Sequence, residues 1–335
     1  MSFGIGTFSQ AQGDPFPGLV RDGRVSDLRT EFGPSATVLG ILGDWDVSLA
    51  RLDELASQRA GELELGALRV LPPIHPAGPF LCAGANYRMH IIEMRTANAV
   101  ARGLDGEVAK AEAVHAMDER AANGIPFMFA GWPGAVIGSR DEVIIPGDSG
   151  QKHDWELELA VVIGRYARCV AEAQAMDYVA GYTILNDIST RDRMHRTDLR
   201  FTDFMATKMR PTFKPIGPWI TPSQFVRDPH DLRITLRLND VTMQDDTTAD
   251  MIFKVPRLIE YASTITDLRP GDIIATGSPS GNAQHHGARW LRPGDVIEAE
   301  IDGLGTQRNV CVAAAATAHG PDFGSAFEPR EPRSE

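Results

Sequence analysis

The pattern of apolar and polar positions changes character several times along the chain, and each change marks an element. Short apolar runs at residues 3–8 and 38–42 alternate with Gly, Asp and Pro turns, and residues 48–60 carry Leu49, Leu52, Leu55 and Ala56 at helical spacing. This predicts a small α+β unit. Four prolines between residues 71 and 79 cannot continue a helix or a central strand, so a linker is expected there. Residues 80–85 then predict a short buried strand. The stretch 92–123, rich in Ala, Glu, Arg and Met and free of proline, predicts helix. Beyond Pro126 the pattern is strand and turn. P-G-D recurs at Pro146, Pro270 and Pro293 between apolar β-type flanks, where Pro fixes φ and Gly supplies the positive φ of a type II turn. The flanks of these turns do not match one another, so they read as turn chemistry of a β-rich domain and not as a repeat. Residues 255–266, with Pro256 near the start, predict one further helix.

Composition bounds what such a chain does. With 335 residues and 43% hydrophobic content it can bury a sizeable core. The formal net charge of −12 gives no support to a nucleic-acid or anionic-membrane surface. Cys82, Cys169 and Cys311 are odd in number and far apart, which predicts buried free thiols in a reducing compartment. The N-terminus has neither a basic nor an apolar signal region and no apolar run is long enough to span a bilayer, so the expectation is a soluble cytoplasmic protein.

The strongest local signal is H-D-W-E-L-E-L-A-V-V-I-G, residues 153–164. Alternation along a strand puts Asp154, Glu156 and Glu158 on one face, opposite Trp155, Leu157 and Leu159. Adjacent carboxylates near a core repel, and a divalent cation with all-oxygen ligation (Mg²⁺, Mn²⁺ or Ca²⁺) is the simplest way to hold them ionised. A solvent-facing strand edge is the alternative. The second E-L-E-L, at 62–65, has no core strand continuing from it, so Glu62 and Glu64 are expected in solvent. Asp187, after the apolar-leaning segment 182–185, either closes a three-carboxylate site or caps a turn. Arg191 can neutralise surplus acid or grip a substrate carboxylate bidentately. His90 and Glu93, three apart, share a helix face and make either a general-base pair or an ordinary surface pair. Lys208 alone signals little.

Taken in order, N-Y-x-x-H-x-x-E, P-F-x-F, W-E-L-E-L-A-V-V-I-G, N-D-x-S-x-R-D, Lys208, I-G-P, P-G-D-x-I-x-T-G-S-P and G-L-G-T-x-R-N make residues 80 to about 312 resemble the fumarylacetoacetate hydrolase (FAH) superfamily. The resemblance implies an α+β, mainly β fold: a mixed β-sandwich roll over residues 73–318, behind a small N-terminal α+β domain (1–72); the residues 319–335, rich in Pro, Glu, Arg and Ser, are expected to form a flexible tail. It implies one divalent metal, usually Mg²⁺, on Glu156, Glu158 and Asp187, and a water-activating His90–Glu93 dyad on a lid. It places Lys208 and Arg191 near the substrate's oxygens, Gly277 and Ser278 on a loop that contacts substrate, and Asp154 outside the ligand set. It also implies a homodimer and a small oxo-acid substrate. The expected activity is hydrolysis of a C–C bond in a 1,3-diketo or acylpyruvate-like acid. Decarboxylation or isomerisation by the same apparatus, and non-catalytic binding of a metal carboxylate, are the alternatives.

The chain departs from the family pattern at three places. Met194 stands where a Gln is frequent, K-M-R-P with Pro211 replaces K-S-F-D, and Gly131, followed by Trp132, replaces a Lys. If Met194, Trp132 and Gly131 line the pocket, its far side is apolar and prefers a bulky or aromatic acyl group to a second acid. His285 and His286 restore polarity only if their loop folds over the pocket.

Overall fold

The structure is a computed structural model that describes residues 2–11, 13–58, 61–75, 78–147, 150–196 and 201–315. The expected tail at 319–335 lies outside the described residues. The architecture is mixed α+β and mostly sheet, as the motifs imply.

Two sheets form the main body. An eight-stranded sheet runs in the order Phe127–Gly131, Phe80–Gly84, Ile273–Ala275, Leu157–Ile163, Val179–Asn186, Lys214–Ile216, Val136–Gly138, with Thr221–Pro222 paired to Val179–Asn186 off this path. A five-stranded sheet carries Val241–Thr247, Arg233–Leu238, Val296–Ile301, Gly305–Ala313 and Val143–Ile145. Between them lies the larger core. Leu157, Leu159, Val161 and Ile163 share one buried cluster with Ile234, Leu236, Ile297 and Ile301. The other face of the same strand also meets apolar side chains. Ala160 and Val162 join a second cluster with Ile5, Leu28, Leu42, Trp45 and Leu52 of the N-terminal segment. The strand is therefore buried on both sides, which is why its sequence turns uniformly apolar after Glu158.

The N-terminal segment forms its own five-stranded sheet, and the helix Trp45–Gln58 answers the predicted amphipathic stretch. Glu62 and Glu64 are exposed, as expected. The helix Val255–Ile265 also matches. At Pro270 and Pro293 the following Gly271 and Gly294 take φ of +89° and +94°, as the turn chemistry requires, whereas Gly147 after Pro146 does not take a positive φ, so the expectation fails there.

Two further expectations need correcting. The helical stretch 92–123 is two helices, Arg88–Ala101 and Gly106–Asn123. The break has a local cause: Asp105 caps the second helix by accepting from the backbone N–H groups of Glu107 and Val108 at 2.9 and 3.0 Å. Ile91 and Ile92 pack against Ala113 and Met117, so the pair forms a small helical layer with its own apolar seam. Among the cysteines, Cys82 and Cys311 are buried free thiols, but Cys169 is exposed. No described helix is long and apolar enough to cross a membrane.

Candidate active site

Strand pairing assembles the acidic cluster. Leu157 pairs with Asn186 and Glu158 with Leu185, and the backbone N–H of Asp187 donates to the Glu156 carbonyl at 2.8 Å. Glu156, Glu158 and Asp187 thereby converge, each offering a carboxylate oxygen within 4.8 Å of the others. The strand-edge alternative for the glutamates fails, because Glu158 and Asp187 are buried and Glu156 is nearly so.

Three cations are folded against these acids. Lys208, at the end of the short helix Phe204–Lys208, bridges Glu156 Oε2 and Asp187 Oδ2, the latter at 2.6 Å. Arg191 spans Glu156 and Asp154, with Nε 2.8 Å from Asp154 Oδ2. Lys214 lies 2.6 Å from Asp187 Oδ1. The electrostatics follow from this layout. Burial works against ionising Glu156, but Arg191 and Lys208 outweigh it and hold the carboxyl at about 2. Glu158 is pushed well up, first by burial and then by the like charges of Asp187 and Glu156. Lys208 and Arg191 are both raised: their acidic neighbours outweigh the burial.

The donor set fits a divalent metal. All three groups present hard carboxylate oxygens, and among the described residues Glu158 accepts one hydrogen bond, from the Gly277 N–H at 2.8 Å. Crowded like charges at Glu158 are what a bound cation would relieve. Asp154 sits behind this set. It orients Arg191 and accepts from the Ala283 N–H at 2.8 Å, so one carboxylate ties the cluster to the loop 277–286.

A cavity of about 210 Å³ opens over the acids. Glu156, Glu158, Asp187, Arg191 and Lys208 form its polar end, with Gly277, Ser278 and His90 at its rim. Ile91, Met94, Phe127, Phe129, Met194 and Phe204 supply an apolar wall, in which the Phe129 and Phe204 rings stack at 4.6 Å. Met194 lines the cavity as the sequence reading supposed. Trp132 and Gly131 are not among the lining residues. Gly131 is buried, and a Cβ there would meet the Phe80 ring at 2.3 Å, so close packing explains the glycine. The apolar wall exists, but phenylalanines make it.

His90 and Glu93 are both on the helix Arg88–Ala101, yet no hydrogen bond joins them among the described residues. Glu93 accepts from the Ser280 hydroxyl and lies 3.3 Å from His285 Nε2. His90 reaches the cavity with Nδ1 buried and unpartnered, its ring 5.8 Å from that of His285. Burial is the main reason its basicity falls, to a pKa of about 4; Arg191, His285 and Lys208 add to this and Glu156 opposes it. His286 turns away and bonds the Met243 carbonyl at 2.8 Å.

Two contributors escaped the sequence reading. Gln244 is buried: it accepts from the Leu157 N–H at 3.1 Å and donates to Ser278 Oγ and the Pro279 carbonyl at 2.9 and 3.0 Å. It clamps the loop to the site strand. Lys214 is the other. Neither lies in a recognisable motif, and a lone Gln or Lys carries no periodic signal.

Comparison with known proteins places this geometry in context. Residues 80–312 match the family model described as fumarylacetoacetate (FAA) hydrolase C-terminal. A 2,4-didehydro-3-deoxy-L-rhamnonate hydrolase of Sphingomonas sp. (strain SKA58) is 33% identical over 300 residues, covering 89% of this chain and 92% of the relative. A mitochondrial oxaloacetate tautomerase of Bos taurus is 32% identical over 294 residues, covering 87% and 84%. Among solved structures, a maleylpyruvate hydrolase from Sphingobium sp. SYK-6 in complex with manganese (II) ion and pyruvate superposes with a TM-score of 0.71 at 26% identity, covering 94% of this chain and all of that one.

Proposed function

The chain belongs to the fumarylacetoacetate hydrolase family, an enzyme family with hydrolase and tautomerase members, and from this we propose that it hydrolyses a C–C bond in a 1,3-diketo or acylpyruvate-like acid with a divalent metal. One observation carries the reading: three carboxylates, two cations and an unpartnered imidazole converge on one cavity with an apolar far wall.

Glu156, Glu158 and Asp187 would hold the metal, Mg²⁺ or Mn²⁺. When bound, it withdraws charge from the substrate's chelating oxygens. Arg191, fixed by Asp154 and Glu156, is set to receive the substrate carboxylate as a planar fork. The His90 ring, kept neutral by burial, takes a proton from water as that water adds to the acyl carbonyl. The C–C bond then breaks, its electron pair passes into the oxo-acid fragment, and the proton on His90 is available to that carbon. Lys208, held between two acids, keeps positive charge beside the fragment as it forms. The phenylalanine wall takes the acyl group.

A second reading has its own support. Glu93 is engaged by Ser280 and His285, so among the described residues no carboxylate orients His90 for water activation. A neutral imidazole that only moves a proton between carbon and oxygen needs no such orientation, which favours an oxo-acid tautomerase. Turnover of an acylpyruvate panel and of oxaloacetate, with Mg²⁺ and after metal stripping, separates the readings. Metal-dependent cleavage of an acylpyruvate is the expected result. Enol–keto interconversion without cleavage would replace it with the second reading, and turnover of neither would leave a binding protein.

A further inference from the structure

Lys214 has no part in the reaction above. It lies on the strand Lys214–Ile216, between the site strand Val179–Asn186 and the parallel strand Val136–Gly138. Its side chain is 0% exposed. Nζ forms an ion pair with Asp187 Oδ1 at 2.6 Å and donates to the Ile188 and Phe213 carbonyls at 3.2 and 3.3 Å. Lys214 is not among the residues lining the cavity. It grips Asp187 from within the protein, whereas Lys208 grips it from the cavity side.

The charge count around the cluster gives this contact a consequence. Counted with every carboxyl ionised, as ligands of a cation are, Asp154, Glu156, Glu158 and Asp187 face Arg191, Lys208 and Lys214, which leaves the acids in excess by one. A dication entering that setting overshoots neutrality. Without Lys214 the excess would be two, which a dication balances. We propose that Lys214 is a built-in counter-ion that keeps the carboxylates assembled in the absence of metal and thereby weakens the site's hold on a divalent cation. This rests on the metal reading of the site given above. A fixed unit charge this close to a ligand, in a setting with an effective dielectric constant of about 20, changes ion affinity by at least about tenfold. The metal-free protein should therefore fold, and the metal should exchange readily.

The test compares wild type with Lys214→Met, which is similar in size and uncharged, and with Lys214→Gln, which keeps a donor for the backbone carbonyls. Each is stripped of metal, then followed by circular dichroism, by thermal midpoint with and without Mn²⁺, and by calorimetric titration with Mn²⁺. Wild type should be folded without metal and bind Mn²⁺ weakly. Both variants should lose midpoint without metal, regain it with Mn²⁺, and bind Mn²⁺ about tenfold or more tighter. Variants that bind no tighter than wild type would make Lys214 a packing strut and overturn the proposal, with the metal reading left standing. Binding to none of the three proteins removes the metal reading and this inference together. If neither variant folds even in millimolar Mn²⁺, metal cannot take over the charge of Lys214, and the proposal is also overturned.

Discussion

His90 shows how far a residue's surroundings set its chemistry. On an exposed helix it would titrate near 6.5; buried at the cavity and with Arg191 and Lys208 nearby, it is held neutral down to about 4. A general base must be neutral to accept a proton, so a lowered pKa extends its working range towards acid. The acid limb of kcat/KM that belongs to this ring is therefore expected near pH 4, with activity lost as pH falls through that value. A limb near 6.5 would mean that the ring is solvated in the working enzyme. Replacing it tests the role directly. His90→Ala should lower turnover by about 10²–10⁴-fold and leave the thermal gain from Mg²⁺ unchanged, because the ring is not in the ligand set. An unaltered rate would make another group the base.

At the scale of elements, the site is a meeting of one buried strand, one clamped loop and one helical layer. The loop 277–286 is attached through Asp154 to Ala283, through Gln244 to Ser278 and through Ser280 to Glu93. Gln244→Leu would remove the acceptor of the Leu157 N–H and the donor shared by Ser278 Oγ and the Pro279 and Ser280 carbonyls in a buried place. It should cost about 1–3 kcal/mol in urea unfolding and raise KM more than it lowers kcat. Equal stability would mean that water replaces the amide. The helical layer contributes Ile91 and Met94 to the apolar wall, which Phe127, Phe129 and Phe204 complete. Such a wall gains from burying hydrocarbon and penalises an unpaired carboxylate. A benzoyl- or long-chain acylpyruvate should therefore exceed fumarylpyruvate in kcat/KM, and Phe204→Ala should narrow the gap. A clear preference for the diacid would sink the apolar-wall account and leave the acidic cluster untouched.

For the whole molecule, a cation held by the acidic cluster would link ligand to stability. A cation bound by folded protein and not by the unfolded chain raises the thermal midpoint by mass action. Millimolar Mg²⁺ or Mn²⁺ should produce a measurable rise in wild type, and Glu156→Gln or Asp187→Asn should abolish it. No rise at either metal would remove the ligand assignment. The cluster lies at the junction of the two largest cores. Ala160 and Val162, two and four residues beyond Glu158, pack on the N-terminal segment, while Leu157 and Leu159 face the five-stranded sheet. A loss of N-terminal packing would thus be felt at the acidic cluster.

Much of this was legible in the chain itself. Alternation over 153–164 predicted Glu156 and Glu158 on one face of a single strand; the chain instead breaks at Trp155 and Glu156 between the strands His153–Asp154 and Leu157–Ile163, and the two acids converge across that break. The ordered motifs identified the family and the acids, and proline and glycine marked the turns. What the tertiary structure decided are the pairings between segments distant in sequence. Period alone could not say whether the glutamates meet water or core, since that depends on what packs on the strand. It could not give Asp187 a second cation at Lys214, or hand Glu93 to Ser280 and His285 in place of His90. It also missed the substitution of phenylalanines for Trp132 and Gly131 along the wall. A helix or strand period fixes the side of an element on which a residue lies. Its charge state, its partner and the surface it faces come from elements that only folding brings alongside.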